Sequence, residues 1–393
     1  MGSTRQRKDE HQAADPAGIG VHLHYAFEAG EQRGAHLGSP LFDLLRSVRD
    51  GGSIQHAAQA LGCSYRFLWG ALKKWESVLN EPLIVWSRGQ RARLTPFAER
   101  LLWAERRART RMQPHIEALR ADLARVLTDA RDEHHQVLTV AASHGLALPL
   151  LQQLADTLAA LHLDVHFQGS VDCLRALNEG QCLVAGFPVP ALPGSAPTLA
   201  KALKPLFTPG QHMLIGCLRR RQGLMMRREH AGLVRLFGDL AHAQLRFVNR
   251  QVGSGTRLLA DHLMHEAGFD PRQLPDDLDL TEETHVAAAA AIASGLADVG
   301  VGIEAAAHEF GLHFVPLVEE DYFLVCLKPN LGDPAVQRLC SVLGGPEWRS
   351  VLNTLPGYAS VAAPGVALEV TAALPWWPAG WAKGAQGSLV RPS

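Results

Sequence analysis

The sequence predicts two parts: a small helical domain carrying a β-hairpin and extended by a long helix, then a larger α/β domain. Three observations predict this. Between residues 39 and 96, short apolar-periodic runs are punctuated by Gly51-Gly52 and Gly62. From Thr95-Pro96 to about residue 129 a helical pattern continues without a glycine. Residues 137–355 alternate strand-like and helix-like runs, as a sheet with helices on both faces requires.

At 393 residues the chain suggests two domains or three, and 47% hydrophobic with 20% charged residues can bury a sizeable core. No stretch approaches a membrane span, and the polar N-terminus lacks the apolar region of a secretory signal. The six cysteines, at 63, 173, 182, 217, 326 and 340, form no Cys-x-x-Cys pair. Neither a disulfide framework nor a zinc site is predicted, and a cytoplasmic location fits. No cofactor and no metal site are predicted.

Residues 1–38 lack periodicity and read as a flexible tail. Leu41, Leu44, Leu45 and Val48 then mark one helical face, which Gly51-Gly52 ends. Ser53 stands where an N-cap belongs for 54–61, and Ser64 caps the next helix after Gly62-Cys63. Two short helices joined by a glycine-containing turn form a helix-turn-helix pattern. In 65–79, Leu68, Ala71, Leu72, Trp75, Val78 and Leu79 share a core-facing stripe. Tyr65, Arg66, Trp69 and Lys73 lie opposite, with Lys74 nearby, as suits a helix in the major groove of double-stranded DNA.

Residues 83–86 and 91–94 read as a hairpin whose Arg88, Arg91 and Arg93 form a wing against the phosphate backbone. Residues 40–131 carry 16 Lys and Arg against 9 Asp and Glu, a net of +7 in a chain whose total is −1. A basic module joined to an acidic one fits a polyanion partner for the first. In the long helix, Met112, Ile116, Leu119, Leu123 and Val126 form a heptad seam, with a kink expected at Pro114. An exposed seam pairs most economically with a second copy, giving a homodimer or homotetramer. The alternative is a linker packed on the next domain.

These pieces resemble the winged helix-turn-helix of LysR-type regulators. The resemblance rests on Gly52-Ser53, Ala57-Ala58, Leu61, Ser64, Lys73-Lys74-Trp75-Glu76, Leu83, Arg88 and Leu94-Thr95. Ser64-Tyr65-Arg66 with Trp69 is closer to bacterial molybdate-responsive regulators. The usual LysR sequence Gln-Pro-Ala-Val after the serine is missing, so no target-sequence preference carries over. The resemblance implies a DNA-binding domain over 39–96 and a linker or dimerisation helix over 97–131.

In the second part, ligands should sit beyond the carboxyl ends of the strands. Ser143-His144-Gly145 follows the first strand, and Ser170 follows the second. Phe247 to Arg257 reads as strand, small-residue turn and helix start, bringing Arg250, Ser254, Gly255, Thr256 and Arg257 together. Thr284-His285 opens a helix, and Glu304 follows the strand at 297–302. Hydroxyls and cations at helix N-termini suit an anion, although Ser143, Ser170 and Thr284 also fit plain caps.

The segment Asn249-Arg250-Gln251 with Gly253-Ser254-Gly255-Thr256-Arg257 resembles tungstate- and molybdate-type binding proteins. Ala289 to Gly302 is similar to the Val-Ala-Ser-Gly-x-Ala-Asp-x-Gly segment of the same type II periplasmic-binding-protein superfamily. The resemblance implies two lobes over 137–355 closing on a small anion, with Arg250 and Arg257 gripping it and Ser143, Ser170 and Thr256 donating. Molybdate or tungstate comes first; an organic anion or a molybdenum-cofactor-related ligand is the alternative. The implied protein is a ligand-responsive transcription regulator and not an enzyme. A hydrolase using Ser143 is the competing reading, but Ser143-His144-Gly145 lacks the first glycine of a nucleophile elbow. Residues 356–393 read as a tail in which Trp376, Trp377 and Trp381 should in part dock or bind a partner.

Overall fold

The computed structural model describes residues 26–28, 36–85, 91–131, 136–192, 197–268 and 280–377. Strands β1 (Ala26–Glu28) and β2 (His36–Gly38) pair ahead of α1 (Ser39–Gly51). Leu41, Leu45 and Val48 of α1 bury against Ile54 and Ala57 of α2 (Ile54–Ala60) and Leu68 and Leu72 of α3 (Tyr65–Leu79). Ser53 accepts the His56 N–H at 3.0 Å and Ser64 the Phe67 N–H at 3.2 Å, so each helix starts where its cap is written. A two-residue pairing of β3 (Ile84–Val85) with β4 (Arg93–Leu94) forms the base of the hairpin. Its tip, with Arg88, lies outside the described residues.

The Thr95 hydroxyl accepts the Ala98 N–H at 3.1 Å at the head of α4 (Pro96–Arg131). Ala98 and Leu102 complete the core of the first domain, while Trp103 packs on the second. One continuous helix, with Pro114 inside it, therefore touches both. Met112, Leu119 and Leu123 of the heptad seam are exposed on α4. The Val126 side chain lies outside the described residues.

The α/β domain alternates β5 (Gln136–Ala142), α5 (Leu148–Ala159), β6 (Leu161–Phe167), α6 (Ser170–Asn178), β7 (Val184–Pro190), α7 (Pro197–Leu203) and β8 (His212–Met226). Then follow α8 (Leu240–Ala243), β9 (Phe247–Arg250), α9 (Gly255–Glu266), β10 (Thr281–Glu282), α10 (His285–Ala293), β11 (Val299–Ile303), α11 (Glu304–Glu309) and β12 (His313–Leu327). The chain continues through α12 (Pro334–Gly344), α13 (Pro346–Leu352), β13 (Tyr358–Ala359), β14 (Ala367–Glu369) and α14 (Val370–Ala373). The sheet order is β10-β9-β11-β8-β12-β7-β5-β6.

Two 15-residue strands, β8 and β12, run through both lobes. The first lobe pairs β12 with β7 over Glu320–Val325, and the second pairs β8 with β11 over Gln222–Met226. Apolar patterning ends the first of these strands at 218 and splits the second into 312–317 and 321–327. The reason is charge: Arg219-Arg220-Arg221 in β8 stands in register with Asp321, Glu320 and Glu319 in β12. Arg219 bonds Asp321 at 2.6 Å and Arg220 bonds Glu320 at 2.5 Å, so the polar crossover neutralises itself across the strands.

The segment that reads as a tail is part of this fold as far as residue 377. Strands β13 and β14 pair with β8, and Trp376 and Trp377 bury beside Phe207, Val370 and Leu374. Aromatic area outweighs the missing periodicity. Trp381 lies outside the described residues. Replacing Trp376 with Ala should lower the unfolding free energy in urea by about 3 kcal/mol; a change within about 0.5 kcal/mol would show that the docking is incidental.

Candidate anion site and DNA-facing helix

On α3 the rings of Tyr65 and Trp69 stack at 6.4 Å and 5°. Lys73 lies 4.9 Å from the Trp69 ring and bonds Glu76 at 2.7 Å. Arg66 and Lys74 are exposed, as are Arg91 and Arg93 beyond the hairpin. Trp69, expected to face outward, is half-buried and also packs on the core. Ser53 and Ser64 spend their hydroxyls on capping. Sequence reasoning missed Phe67, which is 67% exposed in the first turn of α3. It falls outside the apolar stripe, which was the available signal.

Between the lobes lies a hollow of about 10 Å³, lined in part by Ser143, His144, Arg250, Ser254, Gly255, Thr256 and His285. A space of this size holds roughly one water. Two hydrogen bonds hold the lobes together here: the Gly255 N–H donates to Ser170 Oγ at 3.1 Å, and the Val171 N–H to the Gly253 carbonyl at 3.2 Å. Gly169 permits the approach, since a Cβ there would sit 3.3 Å from the Gly253 backbone.

Arg250, at the end of β9, is 4% exposed. Its Nε donates to the Glu282 carbonyl at 3.0 Å, one terminal nitrogen to the Glu283 carbonyl at 2.6 Å, and the other to His285 Nδ1 at 2.9 Å. None of these partners is a carboxylate. Burial, and then the charge of Arg220, pull Arg250 down to about 9. The neighbouring Arg220 differs: burial opposes its charge, but Glu320 outweighs this and raises it. Burial, then Arg250 and Arg220, hold His285 well below the usual histidine value. With Nδ1 accepting from Arg250, its proton resides on Nε2, which can donate. His144, stacked on Phe167 at 4.8 Å, is pushed down to about 3 by burial and next by Arg250.

The structure thus brings Ser143, His144, Arg250, Gly255, Thr256 and His285 together. It does not bring in Arg257, whose Nε bonds Asp261 at 2.8 Å one turn along α9. Glu304 pairs with Arg221 at 2.7 Å and does not line this hollow. Thr284 caps α10 through the Ala287 N–H at 3.0 Å. Ser254 caps α9 and donates to the Gln251 carbonyl at 2.8 Å, and Ser170 is spent on the lobe contact. Arg220 and Gln168 were missed: Arg220 stands beyond the expected end of β8, and Gln168 directly follows β6, a strand end from which only Ser170 was picked out.

A larger cleft of about 740 Å³ separates α1 and α4 from the α/β domain, with Arg46, Arg49, Trp103, Arg106 and Phe167 in its walls. His144 and His285 line both spaces and stand between them. Beside the cleft, Arg107 and Arg111 of α4 both bond the carboxylate of Glu282, at 3.1 Å and 2.7 Å. Among the described residues no helix is long and apolar enough to cross a membrane. None of their His, Cys, Asp and Glu form a group of three or more that could hold a metal ion.

Residues 36–99 match the bacterial regulatory helix-turn-helix protein, lysR family, and residues 151–344 match the PBP superfamily domain. The chain joins a LysR-type helix-turn-helix region to a PBP-like α/β domain. Protein YvgK of Bacillus subtilis (strain 168), itself described as uncharacterized, is 30% identical over 193 residues. That alignment takes in 49% of this chain and 61% of the relative's length. A cysteine-to-serine mutant of Corynebacterium glutamicum OxyR with H2O2 bound aligns at a TM-score of 0.42 and 15% identity, over 80% of this chain and 92% of that one. CbnR, a LysR family transcriptional regulator, aligns at 0.37 and 17%, over 77% and 98%. At these scores the two structures say nothing of what this chain binds.

Because His144 is held near 3 and His285 is shifted the same way, the unfolded chain binds more protons below its own histidine value of about 6.5. Their contribution to stability is complete above that value and is lost as the pH falls toward 3. Urea unfolding should therefore show stability dropping by about 2 kcal/mol per histidine from pH 7 to 5. His144→Phe, which keeps the stack, should reduce the drop; an unchanged slope would refute the assignment.

Proposed function

We propose that this chain is a transcription regulator that binds double-stranded promoter DNA through α3 and the hairpin and senses a small anion between its lobes. The observation that carries the second half is Arg250, a buried cation bonded to carbonyls and a neutral histidine. A guanidinium has five N–H donors, and three acceptors leave two for a ligand. Thr256, Ser143 and His285 border the same hollow. Donors converging on so small a space favour a compact tetrahedral oxyanion, with molybdate or tungstate first.

The hollow admits such an ion only when the lobes part, by breaking the Ser170–Gly255 and Val171–Gly253 bonds. Ligand and lobe position are then linked, and the effect on DNA affinity is set by the ion's differential affinity for the two positions. On the DNA side, the exposed Arg66, Lys74, Arg91 and Arg93 supply phosphate contacts, with Tyr65 and Trp69 beside them. The seam of Met112, Leu119 and Leu123 supports pairing of two copies through α4. A cytoplasmic location fits this role.

The contacts of Ser143 do not favour catalysis. Its hydroxyl lies 3.2 Å from that of Tyr322, and burial raises the Tyr322 phenol, which makes it a poor partner for activating a nucleophile. A second reading rests on the outer cleft, where Trp103 and Phe167 stand near Arg46, Arg49 and Arg106. That combination would take an aromatic carboxylate or a larger molybdenum-cofactor-related anion.

Full-length protein should retain a mixed-sequence duplex with an affinity that falls at least about tenfold between roughly 50 and 200 mM salt, and Arg66→Ala should weaken it. Molybdate or tungstate at millimolar concentration should raise the melting temperature, and Arg250→Lys should abolish the rise. A response to benzoate-like anions alone would favour the outer cleft. Salt-insensitive or absent retention would contradict the regulator.

A further inference from the structure

We infer that Glu282 is the clasp by which occupancy of the Arg250 site is communicated to the linker helix; the inference rests on that hollow being an anion site. Glu282 is 1% exposed and is engaged on two sides at once. On one side its carbonyl accepts from Arg250 Nε at 3.0 Å, and the next carbonyl, of Glu283, accepts from the same guanidinium at 2.6 Å. On the other side its carboxylate receives the Arg111 fork at 2.7 and 2.8 Å and Arg107 Nε at 3.1 Å.

The geometry between these two sides leaves little slack. Strand β10 is two residues long, and Glu282 stands in register with Arg250 itself. The guanidinium cannot turn toward an incoming anion without loading the 282–283 backbone, because that backbone supplies two of its three acceptors. Arg107 and Arg111 are four residues apart and so share one face of α4. The same helix buries Ala98 and Leu102 in the core of the DNA-binding domain. A displacement of Glu282 is thus delivered to a continuous lever whose far end carries α3.

Charge points the same way. Glu282 is the carboxylate bonded to Arg107 and Arg111, and its charge also favours the cationic form of Arg250. A dianion arriving beside Arg250 changes the field at the carboxylate that holds α4, so ion binding and helix position are coupled electrostatically as well as mechanically. Glu282 has no place in holding the ion through its own side chain. It is a positioning residue.

The test uses the full chain, with molybdate and a mixed-sequence duplex as the probes. In wild type, saturating molybdate should change duplex affinity by about 5- to 100-fold, and duplex should change molybdate affinity by the same factor. Arg111→Gln, on the half-exposed side of the clasp, should bring that factor to within about twofold of unity. It should leave the affinity for each probe alone within about threefold of wild type. Glu282→Gln should likewise bring the coupling factor toward unity. A wild type that binds no molybdate, tungstate or sulfate overturns the anion site and this inference with it. A wild type whose coupling survives intact in both variants overturns the inference alone.

Discussion

The rest of the structure depends on a buried guanidinium with no carboxylate bonded to it. Taking a cation out of water costs several kcal/mol even after relaxation, and the protein offsets this at Arg250 with two carbonyls and an imidazole. These acceptors fix the path of residues 282–285, which fixes where α10 begins. They also require His285 to remain neutral, since an imidazolium has no lone pair for Arg250. Arg220, in the same hollow, shows the opposite solution: it is bonded to Glu320 and also lies 5.3 Å from the Tyr322 ring. One arginine is paired with a carboxylate, and the other is bonded only to carbonyls and an imidazole.

The lobes that enclose this charge are joined by continuous strands, and this shapes how they can move. In β8 and β12 the apolar pattern gives way to paired charges where the chain passes from one lobe to the other. A cross-strand ladder of opposite charges holds the register, while the register shift between Pro316 and Val318 interrupts regular pairing beside it. Away from the strands, the direct hydrogen bonds between Ser170 and Gly255 and between Val171 and Gly253 are few and local. The lobes are thus joined by continuous strands on one side and by two local hydrogen bonds on the other.

Local rules made much of this legible in the sequence. Ser53, Ser64 and Thr284 were readable as caps because capping involves only the next three residues. Arg250, Thr256, Ser143 and His285 were grouped by the rule that ligands sit beyond strand ends, and all four line one hollow. Arg257 was misplaced because Asp261, one helical turn away, satisfies it locally. Glu304 was misplaced for a related reason, since Arg221 comes to it from a strand that was expected to end at 218. Arg220 itself was hidden in a charged run that only long-range pairing turns into a strand. The contacts of Glu282 with α4 were equally out of reach, because they join residues more than 170 positions apart.

The central claim is that Arg250 stands ready for a compact anion. Anomalous diffraction from crystals grown with tungstate locates such an ion directly, free of any assumption about DNA or regulation. The account predicts a single dominant tungsten peak within hydrogen-bonding distance of the Arg250 guanidinium, beside Thr256 and His285. Empty density there, with tungsten only on surface arginines or in the outer cleft, would contradict it.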